Sequence, residues 1–486
     1  MRFWPIRCWW KQTIKVACLL LATALISVRV AALQSASQGP PSSADRPVVS
    51  ATAVAAELRE AVSLLQLGKP DEAEPILRRI ILVTPRNPDA HNLLGTILDQ
   101  RGQFKDAERE YRIALRLNPE GVSPLANLGV LLARTQRSDE AVRVFQLVLQ
   151  RAPDHPQATL NLGLQLVNRG EYARAAPLLE RAIQLGLSGY ETRFNLGVAL
   201  YNQKRYDEAV SAFEAAATLS SNSADPFYYL GLIAWARAQD ETAAEFWDRA
   251  VTLRPNFPEA NFMLGEALRR NRRTEASIEF YHRAFDQDPT KFVHHARLGG
   301  AYFLLGQHDR ALEVFHRAAQ RFPRMAEAHY FVAIAARAKG AYDLAESELR
   351  KSLAIRPDNV DALAQLGFIV SERDRYVEAE RLLRRAIAIN NKHFYANYDL
   401  GRLLVKSKRY EESLPVLHHA ATLKPKNPSV HYQLFIALSR LKRKEEAGSE
   451  LATFKQLEEA RKSQPEQTDD IELENSATPS LIRPPR

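Results

Sequence analysis

The sequence predicts an all-α fold, a solenoid of about twelve stacked helix pairs. One pattern returns every 34 residues from Val54 to Arg461 without insertion or deletion. A period of this length is typical of solenoids, in which each repeat buries its apolar face against its neighbours. Small and apolar residues recur within each repeat at spacings of three, four and seven, which are helical. Glycine and proline interrupt the pattern at fixed places, so each repeat is predicted to contain two helices of about 12–14 residues joined by a short turn.

Two small residues in each repeat indicate where the paired helices approach each other. The eighth residue is Gly or Ala in eleven of the twelve repeats, and the twentieth is Ala or Ser in all of them. A mid-helix glycine costs roughly 1 kcal/mol relative to alanine, so its recurrence requires a reason. Small residues on facing helices allow the axes to lie at the near end of the usual range of about 8–10 Å. A bulky residue follows at position 24, as in Tyr111, Phe145 and Trp247.

The turns carry the residues that helix ends favour. Position 15 is glycine in five repeats, where the first helix needs a C-terminal cap (Gly68, Gly102, Gly170, Gly306 and Gly340). Asn87-Pro88 and Asn427-Pro428 each supply an N-cap followed by proline at the first helical position. Proline also closes eight of the twelve repeats.

The set Leu94-Gly95, Ala107, Tyr111, Ala114 and Pro119 resembles the tetratricopeptide repeat. The resemblance covers residues 54–461, and the departures lie at three joints and at the two ends: Leu187, Ser221 and Asn391 replace the closing proline, and Glu60, Phe435 and Phe454 replace consensus residues. Membership of this family implies a right-handed superhelix with a concave groove that is lined by the first helices and binds proteins or peptides.

The N-terminal residues 1–32 are interpreted as a signal peptide or an N-terminal membrane anchor. Basic residues precede a run of 13 mostly apolar residues from Val16 to Val28, and small residues allow cleavage after Ala32. This run suits a signal peptide and is short for a membrane span. The protein is therefore expected to be exported, periplasmic or extracytoplasmic, and membrane attachment through residues 16–33 is the alternative.

The remaining composition limits the classes of function. Both cysteines, Cys8 and Cys18, lie in the leader, so the mature chain has no disulfide. Removal of the leader, with its five basic residues and no acids, lowers the formal charge from +9 to about +4. A long chain with this charge has no general attraction to nucleic acid. Residues 33–53 are predicted to be a flexible linker, and residues 462–486 a disordered tail.

The sequence contains no catalytic, metal or cofactor motif that outweighs an ordinary structural interpretation. The adjacent pairs His294-His295 and His418-His419 point about 100° apart on a helix, so neither pair is a natural metal ligand set. His295 and His329 are equivalent in successive repeats and are assigned to packing or surface. No phosphate-binding glycine loop or hydrolase motif is present. We therefore predict that the protein is not an enzyme and needs neither metal nor cofactor.

Three asparagines give the strongest indication of a binding site. Asn127, Asn161 and Asn195 share the sixth position of successive repeats, which faces the groove in tetratricopeptide proteins. They resemble the asparagine ladder in the repeat superhelix of O-linked N-acetylglucosamine transferase. An amide can bind a peptide backbone without selecting its sequence; the alternative is local hydrogen bonding. Ser123, Gln157 and Glu191 precede these asparagines by one turn. Because no lysine is supplied there, a dicarboxylate clamp for chaperone tails is not expected.

An aromatic and basic stretch continues along the predicted groove. Aromatic residues and arginine are favoured at interfaces; the alternative for Phe194 and Phe262 is packing between first helices. The predicted contact residues of this stretch are Phe194, Tyr228, Tyr229, Trp235, Phe262, Arg269 and Arg297.

Three functions remain open from the sequence. The first is an exported scaffold that binds proteins or peptides in its groove, with assembly of an envelope or secretion complex as its setting. The second is contact with polysaccharide during its export, through the aromatic stretch. The third, a glycosyltransferase component, is disfavoured because only 25 residues follow the last repeat, whereas a nucleotide-sugar domain needs well over 100 residues.

Overall fold

A computed structural model describes residues 51–463 of the chain. This range contains 24 α-helices and no strand, so the all-α prediction is confirmed. The helices form twelve consecutive pairs, one in each repeat. The first helices of the pairs are α1 (Ala51–Gln66), α3 (Pro88–Gln100), α5 (Val122–Arg134), α7 (Pro156–Asn168), α9 (Tyr190–Asn202), α11 (Asp225–Ala236), α13 (Pro258–Arg270), α15 (Phe292–Leu304), α17 (Ala326–Ala338), α19 (Val360–Glu372), α21 (Phe394–Lys406) and α23 (Pro428–Arg440). The second helices are α2 (Pro70–Val83), α4 (Phe104–Leu117), α6 (Ser138–Arg151), α8 (Tyr172–Gln184), α10 (Tyr206–Leu219), α12 (Asp240–Leu253), α14 (Thr274–Gln287), α16 (His308–Arg321), α18 (Tyr342–Ile355), α20 (Tyr376–Ile389), α22 (Tyr410–Leu423) and α24 (Lys444–Ser463).

The helices belong to two compact parts that meet in sequence inside α11, after Ile233. We call residues 51–233 the N-terminal part and residues 234–463 the C-terminal part. Consecutive helices pack against each other within each part, and several first helices also contact the first helix of the following repeat, as α5 contacts α7 and α19 contacts α21. The first helices of each part therefore share a face, which we call the first-helix face.

The close approach predicted from the small residues is present in the structure. A Cβ atom added to Gly95 would lie 2.7 Å from the ring of Tyr111, and one added to Gly197 would lie 2.6 Å from the ring of Phe213. Position 8 is glycine in every repeat that has an aromatic ring at position 24. The two repeats with alanine at position 8 have leucine at position 24, as in the pair Ala333 and Leu349. Leucine at position 24 also lies close in other repeats, since a Cβ atom added to Gly367 would be 2.7 Å from Leu383. An aromatic ring at position 24 thus always accompanies glycine at position 8, whereas leucine accompanies glycine in some repeats and alanine in others.

The turn after each first helix uses one backbone conformation in all twelve repeats. Position 15 has a positive φ, between 70° and 77° in the five repeats where it is the predicted glycine. In the other seven repeats a residue with a side chain has a φ of 57–63°, and Ala238 is an example at 57°. The left-handed conformation thus belongs to the turn itself, and these seven residues adopt it at a cost, because a Cβ atom disfavours it.

A polar side chain at position 4 fixes the preceding turn in six repeats. In each case a side-chain nitrogen lies 2.9–3.1 Å from the backbone carbonyl six residues earlier. His295 bonds to the carbonyl of Pro289, and Asn261 bonds in the same way to that of Pro255. The interpretation of His295 as a packing residue therefore agrees with its place, since it is 2 % exposed.

The helical region extends slightly beyond the predicted repeats. Helix α1 begins at Ala51 and α24 ends at Ser463, so the last residues of the predicted linker and the first of the predicted tail are helical. The alanine-rich stretch before Val54 favours helix, and Pro465 follows the end of α24, where proline disfavours continuation. The rest of the predicted leader, linker and tail lies outside the described residues.

Candidate binding face on the first helices

Side chains on neighbouring first helices meet in a regular register. On α5, Asn127 donates from Nδ2 to Asn92 Oδ1 on α3 at 3.0 Å, and Thr96 Oγ1 lies 3.5 Å from the same nitrogen. These partners precede Asn127 by 35 and 31 residues. In the C-terminal part Arg297 and Glu266 repeat the separation of 31. For a residue of this face, the side chains 31 and 35 residues earlier are therefore its expected neighbours on the preceding first helix.

The same register explains why the three predicted asparagines differ. The residues 35 and 31 before Asn161 are Ala126 and Val130, which offer no side-chain acceptor. The Nδ2 atom of Asn161 is buried and has no hydrogen-bond partner among residues 51–463. Asn195 follows leucines at the equivalent places, and its Nδ2 donates to the backbone carbonyl of Glu191 on its own helix at 2.8 Å. The asparagines are thus equivalent in sequence, but Asn161 alone of the three has an unpartnered amide nitrogen.

The predicted aromatic residues of the N-terminal part form one cluster. Phe194 on α9 stacks on Tyr190, with ring centroids 5.7 Å apart and an angle of 7° between the planes. Its ring also meets the edge of Tyr229 on α11, at 5.7 Å and 73°. Tyr229 stacks on the fully buried Phe213 at 5.0 Å and is 5.7 Å from Tyr228. Burial raises the pKa of the Tyr229 hydroxyl, which therefore remains protonated at neutral pH.

The solvent exposure of these rings distinguishes core residues from residues that a ligand can contact. Tyr228 is buried and belongs to the core, whereas Phe194, Tyr190 and Tyr229 are half-buried. The half-buried rings lie on first helices and keep part of their surface open to solvent. A bound molecule can therefore touch these three rings, as it can the half-buried Tyr201 at the end of α9.

The predicted aromatic residues of the C-terminal part are engaged by neighbours. Trp235 lies 5.7 Å from Trp247, and the Arg270 guanidinium lies 3.9 Å above the Trp235 ring. Phe262 packs against Tyr281 at 6.0 Å and against His294 at 5.3 Å. These contacts favour packing as the role of Phe262, which the sequence left as an alternative to ligand contact.

The two predicted arginines surround a buried carboxylate. Glu266 on α13 is 1 % exposed, and it accepts a short hydrogen bond from the hydroxyl of Tyr281. Arg297 Nε lies 2.8 Å from Glu266 Oε1, and Arg269 Nη2 lies 3.7 Å from Oε2. Burial, followed by the charge of Glu266, raises the pKa of the Tyr281 hydroxyl, so that the hydroxyl acts as the donor. A buried carboxylate without a cation is strongly unfavourable, and this gives both arginines a structural role.

Two features of the face were not anticipated. In the C-terminal part the ring of Phe368 lies between the guanidinium groups of Arg337 and Arg402, at 5.5 and 4.8 Å. In the N-terminal part Glu191, in the first turn of α9, is exposed. The sequence comparison used Glu191 only to argue against a clamp for chaperone tails. The signal that identifies it is the absence of a basic residue where other repeats supply one.

Some site types are not found among residues 51–463. No three His, Cys, Asp or Glu side chains in this range are grouped so as to hold a metal ion. None of the helices in this range is long and apolar enough to cross a membrane. The predicted leader lies outside the range, and its role stays a prediction.

Comparison with family models agrees with the repeat geometry. The tetratricopeptide repeat model matches residues 58–105, 94–156 and 160–224. The model of the C-terminal domain of cilia and flagella-associated protein 70 matches residues 236–471. The chain is a tetratricopeptide repeat protein. In this tetratricopeptide repeat protein the sequence pattern corresponds to two structural features. The residue at position 8 packs against the residue at position 24, and position 15 adopts the same turn in every repeat.

Several solved structures resemble this tetratricopeptide repeat protein. YrrB, described as having an unusual peptide-binding site, is 25 % identical over 38 % of this chain and 95 % of its own, with a TM-score of 0.37. Yeast Tom70 is 13 % identical over 81 % of this chain and 96 % of its own, with a TM-score of 0.35. PilF of Pseudomonas aeruginosa is 24 % identical over 44 % of this chain and 98 % of its own, with a TM-score of 0.39. No curated protein sequence matches the chain. The similarity to the repeats of O-linked N-acetylglucosamine transferase stays a prediction.

Proposed function

We propose that this tetratricopeptide repeat protein is a non-enzymatic, exported scaffold that binds an extended segment of another protein on the first-helix face of its N-terminal part. The observation that carries the proposal is the unpartnered amide nitrogen of Asn161, and the next first helix, α9, carries the half-buried ring of Phe194. Solenoids of stacked repeats commonly use such extended faces for binding.

The amide of Asn161 suits a peptide backbone. A buried donor without a partner costs about 1–3 kcal/mol, so the free protein gains by satisfying it. The side chain as a whole is half-buried, so a bound segment can reach its amide after a small change of rotamer. The rings of Phe194 and Tyr190 add aromatic surface, which is enriched at interfaces. Backbone recognition together with aromatic contact favours an extended polypeptide.

Binding can be tested with pools of N-acetylated, C-amidated decapeptides of random sequence immobilised on a surface. We expect the wild-type chain to bind such pools. The variant Asn161→Ala should bind them about two- to tenfold more weakly, the effect of losing one hydrogen bond. The matched control is Asn168→Ala, because Asn168 is an exposed asparagine at the end of the same helix, α7. Equal loss in both variants, or binding of a polysaccharide in place of the peptides, would refute this assignment.

The exported location is supported by the leader sequence. Its basic start, its apolar run and the small residues that end at Ala32 fit a secretory signal. The intact mass of the protein recovered from the producing cell tests this directly. Loss of residues 1–32 is expected for a cleaved signal, full length in a membrane fraction indicates the anchor, and full length in the cytosol contradicts export.

A further inference from the structure

The unusual charge on the first-helix face of the N-terminal part is Glu191. In the seventh and ninth repeats the acid at position 2 is paired with a basic residue near the end of the same repeat, whereas the second repeat, with Asp89, has no basic residue at the corresponding places. Glu259 pairs with Lys291 at 2.7 Å, and Glu327 pairs with Arg356 at 2.7 Å. These cations occupy positions 34 and 31 of their repeats. In these two repeats the acid therefore has a cation from the end of its own repeat.

The fifth repeat has the acid but lacks both cations. Its positions 31 and 34 are Ser220 and Ser223. Ser223 is engaged by the hydroxyl of Tyr190, with the two oxygens 2.7 Å apart. The carboxylate of Glu191 has no basic partner among residues 51–463. The sequence thus leaves a carboxylate uncompensated at a place where the protein elsewhere provides a cation.

The place that we call the recess is formed by three side chains of α9, Tyr190, Glu191 and Phe194. The Glu191 side chain is exposed, yet partial desolvation by neighbouring atoms raises the pKa of its carboxyl. Glu191 and Asn161 are 30 residues apart, the same separation as Arg402 and Glu372, whose side chains approach to 3.2 Å. From this separation we infer that Glu191 lies within the reach of one long side chain of Asn161.

Aromatic rings border the same recess. Phe194 follows Glu191 by three residues, which places the two on one side of α9, and its ring stacks on Tyr190. The eleventh repeat contains a filled version of such a place. There Lys424, at position 31, lies 4.8 Å from the ring of Phe394, which is equivalent to Tyr190. Rings at this place of the repeat can therefore hold an ammonium group.

We propose that Glu191, together with the rings of Tyr190 and Phe194, binds the side chain of a lysine or arginine in the bound protein segment. The inference rests on the proposed function, because the cation comes from the segment that Asn161 holds. A carboxylate beside aromatic faces attracts a cation by charge and by the ring quadrupole. The proposal therefore expects the bound segment to carry a basic residue where it meets the recess of the N-terminal part.

The test uses the capped decapeptide pools with one central position fixed as Lys, Arg, Gln or Glu. The wild-type chain should prefer the Lys and Arg pools over the Gln pool by about fivefold, a typical effect for an exposed cation site. Glu191→Gln should abolish this preference, so that the Lys, Arg and Gln pools bind about equally. Glu191→Lys should shift the preference to the Glu pool. The matched control is Glu214→Gln, an exposed acid on the second helix α10 that should leave the preference intact.

The outcomes separate the two proposals. Absence of binding by every pool to the wild-type chain would overturn the proposed function itself. Binding without a preference for Lys or Arg, or a preference that survives in Glu191→Gln, would overturn the cation site and leave the proposed function standing. A circular dichroism melt of each variant verifies the fold, and Glu191→Gln is expected to melt no lower than wild type at pH 7 because it removes an uncompensated charge.

Discussion

Adjacent glycines on α15 allow the packing between helices of one repeat to be measured by itself. A Cβ atom added to Gly299 would lie 2.7 Å from Cδ1 and 2.8 Å from Cζ of the Phe315 ring, with Cε1 closer still. A Cβ atom added to Gly300 would meet nothing within 4 Å. Replacement of either glycine by alanine removes the same conformational cost of a helical glycine. The two variants therefore differ only in whether the new methyl group fits.

The expected magnitudes follow from these two contributions. Gly300→Ala should stabilise the eighth repeat by about 0.5–1 kcal/mol, the gain in helix propensity. Gly299→Ala has the same gain but also pushes a methyl group into a fully buried ring, and overpacking costs about 1–3 kcal/mol. The difference between the two variants should therefore be about 1–3 kcal/mol, with Gly299→Ala the less stable.

Native-state hydrogen exchange measures this difference, because it reports the opening free energy of α15 and α16 separately from the rest of the solenoid. The double variant Gly299→Ala/Phe315→Leu copies the natural pair Ala333 and Leu349. Leucine replaces the rigid ring that the methyl group would strike with a side chain that can change its rotamer, as Leu349 accommodates Ala333, so the two substitutions should be non-additive. Equal protection in Gly299→Ala and Gly300→Ala would refute the close approach, and so would strict additivity in the double variant.

Two further predictions concern the turns. Ala238→Gly should stabilise the sixth repeat by about 1 kcal/mol, because a glycine adopts the φ of 57° without strain. Gly306→Ala should destabilise the eighth repeat by a similar amount. Urea melts in which both variants shift the unfolding midpoint in the same direction would contradict this prediction. Burial lowers the pKa of His295, so its contribution to stability is present above its unfolded pKa of about 6.5 and is lost as the pH falls below it toward the lowered native value. His295→Asn should keep the turn bond, as Asn261 does, and should reduce this acid-side loss in thermal melts, whereas an unchanged pH slope would show that His295 does not cause it.

The helix pairs and their closest contacts could be predicted from the sequence because each depends on a residue type at a fixed period. The spacing of small and bulky residues predicted a close approach of the paired helices, and in the structure Gly95 packs against the ring of Tyr111. The constant turn was predicted only where position 15 is glycine. At Ala238 the turn imposes the same φ on a residue whose side chain gives no such signal, because the whole repeat determines the conformation.

The binding face could be located by sequence but not resolved residue by residue. Asn127 and Asn161 have the same repeat position, yet their hydrogen bonds depend on the residues 31 and 35 earlier, which lie on another helix. Arg297 was expected to contact a ligand, and the structure gives it a buried partner, Glu266. Glu191 was overlooked because its importance comes from Ser220 and Ser223, which leave it without the cation that other repeats supply.

The central claim, that the first-helix face of the N-terminal part holds an extended protein segment, is tested most directly by site-specific photo-cross-linking. The photoreactive residue p-benzoylphenylalanine would replace Phe194 on the first helix α9 or, as the matched control, Leu147 on the second helix α6, which is 37 % exposed. Both proteins would be irradiated with the same biotinylated decapeptide pool. The account predicts cross-links from position 194 that are reduced by Asn161→Ala, with only background from position 147. Equal yields from the two positions, or yields at position 194 that Asn161→Ala leaves unchanged, would contradict it.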